Sequence, residues 1–387
     1  MYEFPLIIIG AGPAGLSTAL HLLALDPAWA EKMLVLDRAV HPRHKLCGGG
    51  VTQLGLRCLR NLGFPDPLPI PHAPIRDARF IYKDRTVHVR GRPEFVVFHR
   101  REFDHFLAVS ARERGVRILE GVRVKAIRIE ADGVVVETET GVYRAQAVVG
   151  ADGSRGISRR FLSGLARVSK PRKAGSEPAA RVARLLEVVQ PAEADAPQFR
   201  DGFASFDFTP VAGGLQGYAW DFPARVGGEP KHNRGVYDAR IAPHRQKAPL
   251  PDLLQQALAG KRTDLNGAKI EGHPIHWFSP RNRLSSERLI LAGDAAGAEP
   301  LLGEGIAPAL VYGKIAARSI EAAFRKQDFS FKDYKRRVLL SDLGGYLLLR
   351  WWVAWWSYRL SDRPWFMQVM WTAGKGMAWL ASGRGKE

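Results

Sequence analysis

Gly10-Ala11-Gly12-Pro13-Ala14-Gly15 is a glycine-rich turn of the G-x-G-x-x-G type. The first glycine permits a tight turn, the second lets backbone approach a pyrophosphate, and the third lets helix and strand pack closely. An anion bound there meets free amides and the positive end of a helix dipole. Asp37 lies 22 residues beyond Gly15, where a carboxylate can accept hydrogen bonds from a ribose diol. The pair points to dinucleotide binding. A merely structural turn leaves Asp37 unexplained.

Ala292-Gly293-Asp294-Ala295-Ala296-Gly297 is followed by Pro300 and Gly303-Glu304-Gly305-Ile306. A strand ending in Gly-Asp can place a carboxylate on a polyol hydroxyl, and a glycine-rich entry into a helix offers amides to negative charge. The plain alternative is a capped helix. Gly150-Ala151-Asp152-Gly153-Ser154 ends another apolar run, as a second site or a simple turn. Arg100 opens a helical pattern of Phe103, Phe106, Leu107 and Ala111, closed by Gly115. It serves a phosphate or solvates the surface. Cys47 is a thiol that can relay a proton or a small inert core residue. With Cys58 as its only companion, no disulfide framework and no CxxC zinc pair exist, so no metal site is expected.

These groups need elements to hold them. Leu6-Ile7-Ile8-Ile9 reads as a buried strand, residues 13–25 carry helical spacing, and Met33-Leu34-Val35-Leu36 closes a β-α-β unit. From Val122 to Val149 the period drops to two around an Asp132-Gly133 turn, which predicts a meander. Residues 168–200 read as a loop or excursion, and 201–280 as a β-rich unit. Leu289 to Ala292 returns as a buried strand, followed by a long helix from about Gly305. Tyr218, Trp220 and Phe222 alternate, so they share one face of a strand.

The 387 residues carry a net charge of +18, with 46% apolar and 25% charged residues. That composition excludes global disorder and suggests two or three structural units. The charge calls for a nucleic acid, an anionic membrane surface or an acidic ligand. No helix-turn-helix, zinc-finger or RNP signature is present, so no nucleic acid is expected. Phe4 to Leu25 lacks charged residues, but its glycines and Pro13 argue against a span or signal peptide. Arg350, Arg359 and Arg363 interrupt the apolar C-terminal stretch, so no transmembrane helix is predicted.

Together the motifs resemble the FAD-dependent oxidoreductases of the aromatic-hydroxylase, glutathione-reductase-like superfamily, and within it the geranylgeranyl reductase family. Pro42-Arg43-His44-Lys45-Leu46-Cys47-Gly48-Gly49-Gly50-Val51 is similar to that family's PR-x-K-x-CGGGV segment, and Gly217 to Pro223 to its G-Y-x-W-x-FP motif, followed by Asn233-Arg234-Gly235. The likeness covers most of residues 1–325. It implies an α/β fold with a discontinuous Rossmann-type FAD-binding domain (1–75, 99–167, 285–325), a β-rich substrate domain (76–98, 168–284) and a helical Trp-rich segment (326–387).

By the same resemblance Gly10, Gly12, Pro13, Ala14 and Gly15 hold the FAD pyrophosphate and Asp37 the adenosine ribose. Arg38, Arg43, Cys47 and Gly48 lie along the flavin, Arg100 approaches the phosphates, and Val124 meets the adenine through its backbone. Asp152 and Gly293-Asp294 contact FAD, and Gly303, Gly305 and Ile306 sit beside the isoalloxazine. Gly49, Gly50, Tyr218, Trp220 and Phe222 face the substrate. The implied reaction is reduction of carbon–carbon double bonds of an isoprenoid or prenyl lipid by hydride from reduced flavin N5, with Cys47 a candidate catalytic residue. The electron donor is NAD(P)H or a reduced electron-transfer protein, since no second G-x-G-x-x-G occurs. The alternatives are a flavin-dependent monooxygenase or halogenase, and a non-catalytic prenyl-binding escort.

Seven of the ten tryptophans lie in 351–379, and Trp351/Trp352 with Trp355/Trp356 repeat at i, i+4. Residues 325–387 hold twelve Lys and Arg against five Asp and Glu. A face of Trp and Leu beside arginines suits an in-plane interfacial helix, or rings packed over the substrate domain with snorkelling arginines. The expectation is a cytoplasmic protein with peripheral contact to the inner face of the membrane through 343–379.

Overall fold

The structure is a computed structural model describing residues 2–164, 181–259, 269–361 and 363–381. Strand β1 (Tyr2–Ile9), helix α1 (Pro13–Leu25), the single turn α2 (Trp29–Lys32) and β2 (Met33–Leu36) form the expected β-α-β unit. Leu6 to Ile8 and Met33 to Val35 are fully buried, because a central parallel strand is covered on both faces. Next come β3 (Gly50–Thr52), α3 (Gln53–Asn61), β4 (His72–Tyr82), β5 (Arg85–Phe98) and α4 (Arg100–Glu113). Then follow β6 (Arg117–Leu119), β7 (Val124–Ile129), β8 (Val134–Thr138), β9 (Val142–Gly150) and α5 (Ile157–Leu162).

Beyond residue 180 lie β10 (Val182–Pro191), α6 (Pro197–Arg200), β11 (Phe203–Asp207), β12 (Gly217–Val226), β13 (Glu229–Asp238), α7 (Leu250–Leu258) and β14 (Glu271–His276). The chain continues through β15 (Ser285–Ser286), β16 (Leu289–Leu291) and α8 (Ile306–Lys326), then α9 (Tyr334–Leu339), α10 (Asp342–Leu360) and α11 (Pro364–Ala381).

Two sheets organise these elements. The first has the order β15-β16-β9-β1-β2-β6, with the β7-β8-β9 meander attached, and its core from β16 to β6 is parallel. The second runs β14-β10-β13-β12-β11-β4-β5-β3 and is antiparallel except at β11/β4. β3 and the start of β4 pair in the second sheet, although the sequence reading placed residues 1–75 with the first unit.

The loop expected over 168–200 is also corrected. Residues 165–180 lie outside the described residues, but β10 is a ten-residue strand paired on both sides, to β13 and β14. Its polar positions hid it. Arg184 is held by Asp238 at 2.6 Å, and Glu187 is buried where a strand pattern calls for an apolar residue.

Candidate functional site

Helices α1 and α8 begin at one cavity. Their N-caps, Gly12 and Gly305, make no side-chain capping bond, and neither first turn contains an acidic residue. Both positive dipole ends therefore open on the cavity, with the carboxylates of Asp37 and Asp294 beside them but no side chain capping their first-turn amides. The cavity, about 740 Å³, runs from the Gly10–Ala14 backbone to an aromatic wall of Phe95, Phe206, Tyr218, Trp220 and Phe222.

The three glycines of the turn divide the work. Gly10 has φ +109°, and a Cβ there would collide with the Ala151 carbonyl. Gly15 abuts the Gly10 carbonyl and is the one expected site residue that does not line the cavity. It packs strand on helix. A Cβ at Gly12 would meet only the tip of Arg43, at 3.2 Å, so this glycine leaves room for a ligand rather than for protein.

Asp37, just beyond β2, accepts from the Ala11 amide at 2.6 Å and the Ala39 amide at 2.8 Å. Those bonds fix the carboxylate at the cavity edge and leave further lone pairs for a diol. Exposed Arg38 and half-buried Val124 line the same end. Deeper in, Arg100 forks onto Asp104 through two bonds of 2.8 Å, and Arg43 reaches the same carboxylate at 2.8 Å. Burial alone would raise the Asp104 carboxyl, but the two guanidiniums hold it below its ordinary value. Two cations on one carboxylate leave a surplus positive charge. A bound pyrophosphate would satisfy it.

Asp294 follows β16 and lies 3.4 Å from the Ser154 hydroxyl. Gly293, Gly303, Gly305 and Ile306 line the cavity around it. The loop between is clamped from both sides. Tyr237, Tyr358 and Tyr218 donate to the carbonyls of Pro300, Leu301 and Leu302, while the Glu299 carboxylate takes the amides of Leu301 and Leu302. Gly303 is needed where the loop turns, with φ +72° and the Tyr237 ring 2.7 Å from where a Cβ would be. Asp152 lines the cavity too, but its carboxylate accepts from the Ser158 amide and hydroxyl at the start of α5.

Cys47 is held from the second sheet. Asn233 donates to its carbonyl at 3.1 Å, and Trp220 donates to Asn233 at 2.8 Å. Burial pushes the thiol up, with Arg100 opposing, so it is protonated at neutral pH. Gly48 packs 3.2 Å beneath Phe222 (measured from where a Cβ would lie), and Gly49 and Gly50 continue the wall. Tyr218, Trp220 and Phe222 do line one face, as their alternation required.

Four features were not singled out as site residues, although Lys45 lies in the Pro42–Val51 segment that the family likeness places along the cavity. Lys45, brought down to about 8 by burial, donates to His273 at 2.6 Å, and both line the cavity. Glu304 accepts from Thr52 at 2.7 Å and from Tyr346 of α10. Arg350 of α10 also lines the cavity, 3.8 Å from buried Glu299. Glu187 accepts bonds from the Asn233 side chain and the Cys47 amide, yet burial lifts its carboxyl to about 7. No local motif announces any of these partnerships.

Glu187 makes stability depend on pH. Its folded value lies above the ordinary 4.5, so its stabilising contribution is complete below that value and is lost as pH rises through about 7. Glu187→Gln, which cannot ionise, should flatten the fall of melting temperature between pH 5 and 8. An unchanged slope in thermal melts would exclude Glu187 as the responsible group.

The matching family model is described as an FAD binding domain and covers residues 3–307. Digeranylgeranylglycerophospholipid reductase 1 of Methanopyrus kandleri is 30% identical over 349 residues, spanning 86% of this chain and 84% of that protein. The chain belongs to the FAD-dependent geranylgeranyl-type reductase family. A geranylgeranyl bacteriochlorophyll reductase-like structure from Thermoplasma acidophilum superposes with a TM-score of 0.74 at 18% identity, covering 99% of this chain and 92% of that one. A point mutant of the halogenase PltM in complex with FAD gives a TM-score of 0.69 at 16% identity over 93% of this chain and 77% of that one. These two likenesses concern the fold. The family's cofactor fits the residues present: two uncapped helix starts, the space above Gly12 and the surplus charge of Arg43 and Arg100 all suit FAD.

Proposed function

We propose that this protein reduces carbon–carbon double bonds of an isoprenoid-type lipid. The observation that carries the reading is the continuity of the cofactor cleft with a chamber walled by Phe95, Phe206, Tyr218, Trp220, Phe222 and Tyr237. Such a chamber accepts a flexible apolar chain and excludes water. The kinship with a digeranylgeranylglycerophospholipid reductase supports the same substrate class.

Bound in the cleft, FAD would supply the hydride, with NAD(P)H or a reduced electron-transfer protein as the source of electrons. The chain's residues do the rest. Arg43, Arg100 and the α1 amides anchor the anionic end, and the clamped Pro300–Gly303 loop fixes the wall beside α8. The aromatic face orients the alkene. Cys47, protonated and walled in, gives a proton to the second alkene carbon, and Arg100 stabilises the resulting thiolate.

Anaerobically reduced enzyme, mixed with prenyl diphosphates, prenyl glycerophospholipids and prenylquinones, should yield products two hydrogens heavier per bond, read by mass spectrometry. No saturated product across the panel, or incorporation of oxygen when air is admitted, would overturn the reading in favour of an oxygenase. Cys47→Ala should retain FAD and lose turnover on the order of 10²-fold, the size expected for a positioned proton donor. Equal turnover in Cys47→Ala would remove the thiol from the chemistry.

A further inference from the structure

Helix α10 is apolar on the side that faces solvent. Gly345, Leu349, Trp352 and Trp356 recur at helical spacing and are all exposed, Leu349 by 63%, Trp352 by 57% and Trp356 by 47%. Its inner side is apolar as well, with Leu343, Leu347, Ala354 and Tyr358 buried. A helix hydrophobic all round needs cover on both sides. Protein covers one. This divides the tryptophan cluster in a way the i, i+4 spacing did not predict, because Trp351 and Trp355 pack inward, rings 5.7 Å apart, while Trp352 and Trp356 point out. The side chain of Trp379 lies outside the described residues.

The outward stripe is not scattered surface. Among the described residues, six of the twelve exposed large apolar side chains fall between Leu340 and Val369, and Leu349, Trp352 and Trp356 among them share one face of α10. Exposed cations stand beyond its ends and outnumber the exposed carboxylates there, Asp333 and Asp342. Arg336 and Arg337 lie on α9, the helix that precedes the stripe, and Arg363 follows it. Arg336 meets Asp333 only at 4.0 Å, and Arg359 stacks on Trp355 at 3.7 Å. No helix among the described residues is long and apolar enough to cross a membrane.

We infer that the outer stripe of α10 docks in-plane on an anionic lipid surface. Exposed indoles settle at the level of the headgroups, and the flanking arginines attract anionic lipid. A second copy is the poorer occupant, since two such stripes would bring like-charged ends together. The same helix walls the cavity from within. Arg350 stacks on Tyr346 at 4.3 Å and reaches toward Glu299, and Tyr358 holds the Leu301 carbonyl. Docking therefore sets the cavity about one helix diameter, roughly 10 Å, from the lipid. That route for substrate rests on the lipid-reductase reading; the docking itself does not.

The test is co-sedimentation of the FAD-loaded full chain with vesicles of phosphatidylcholine containing about one third phosphatidylglycerol. Binding is expected at low salt, and at least tenfold weaker in high salt or with phosphatidylcholine alone. Trp352→Ser/Trp356→Ser should lose at least tenfold in vesicle affinity while keeping its flavin absorbance and melting temperature. Absence of binding at low salt, or equal binding by the double variant, overturns the inference. So does a lipid-free dimer that the double variant converts to monomer, which would assign the stripe to a second copy. Binding is read without turnover, so a chain that docks but reduces no alkene overturns only the reductase reading.

Discussion

Asp104→Asn should destabilise the folded protein by about 3–5 kcal/mol, the range for breaking a buried ion pair from one side, and should cost it FAD. The carboxylate is wholly buried and serves Arg100 through two bonds and Arg43 through a third. Asparagine matches its shape but leaves buried Arg100 and half-buried Arg43 without that anion. Guanidinium unfolding should show a lower midpoint at an unchanged slope. The same residue governs acid stability. Its carboxyl lies below the ordinary 3.8 in the folded state, so its contribution is complete above that value and is lost as pH falls through the depressed one. The gap between wild type and variant should therefore narrow in acid. A constant gap from pH 7 to pH 3 would place the stabilisation elsewhere.

Gly15→Ala should give a protein that cannot retain FAD, with affinity reduced at least 100-fold. The added methyl falls on the Gly10 carbonyl, which is backbone and cannot swing aside. Relief requires α1 to part from β1, and the amides of the turn then lose their common aim at the pyrophosphate. Gly12→Ala is the informative contrast. Its methyl meets only the mobile end of Arg43, so the fold should persist with a normal melting temperature while FAD binding weakens by ligand crowding alone. Flavin absorbance after gel filtration separates the two variants. Full yellow colour in Gly15→Ala would mean that the turn is not where the cofactor is held.

Much of the cofactor side was legible before any coordinates. β1, α1 and β2 are short-range objects, each specified by local hydrophobic period and by Pro and Gly punctuation. The Gly10–Gly15 turn and Asp37 belong to one such unit, so their spacing already carried the chemistry. Alternation was equally sufficient for Tyr218, Trp220 and Phe222, because a strand sends every second side chain to one face. β10 was not legible. Arg184 and Glu187 break the apolar pattern, and both are tolerated only because β13 and the Asn233–Cys47 network receive them.

The sequence by itself therefore determined the β-α-β unit, the glycine turn and Asp37 suited to a dinucleotide, and the aromatic face that lines the same cavity. Only the tertiary structure decided that Glu187 stands against Cys47, that two arginines share Asp104, and that α10 turns Arg350 inward and Trp352 outward. These pairings join elements far apart in the chain. Burial and charge compensation select them after the local elements exist, and no local periodicity records that choice.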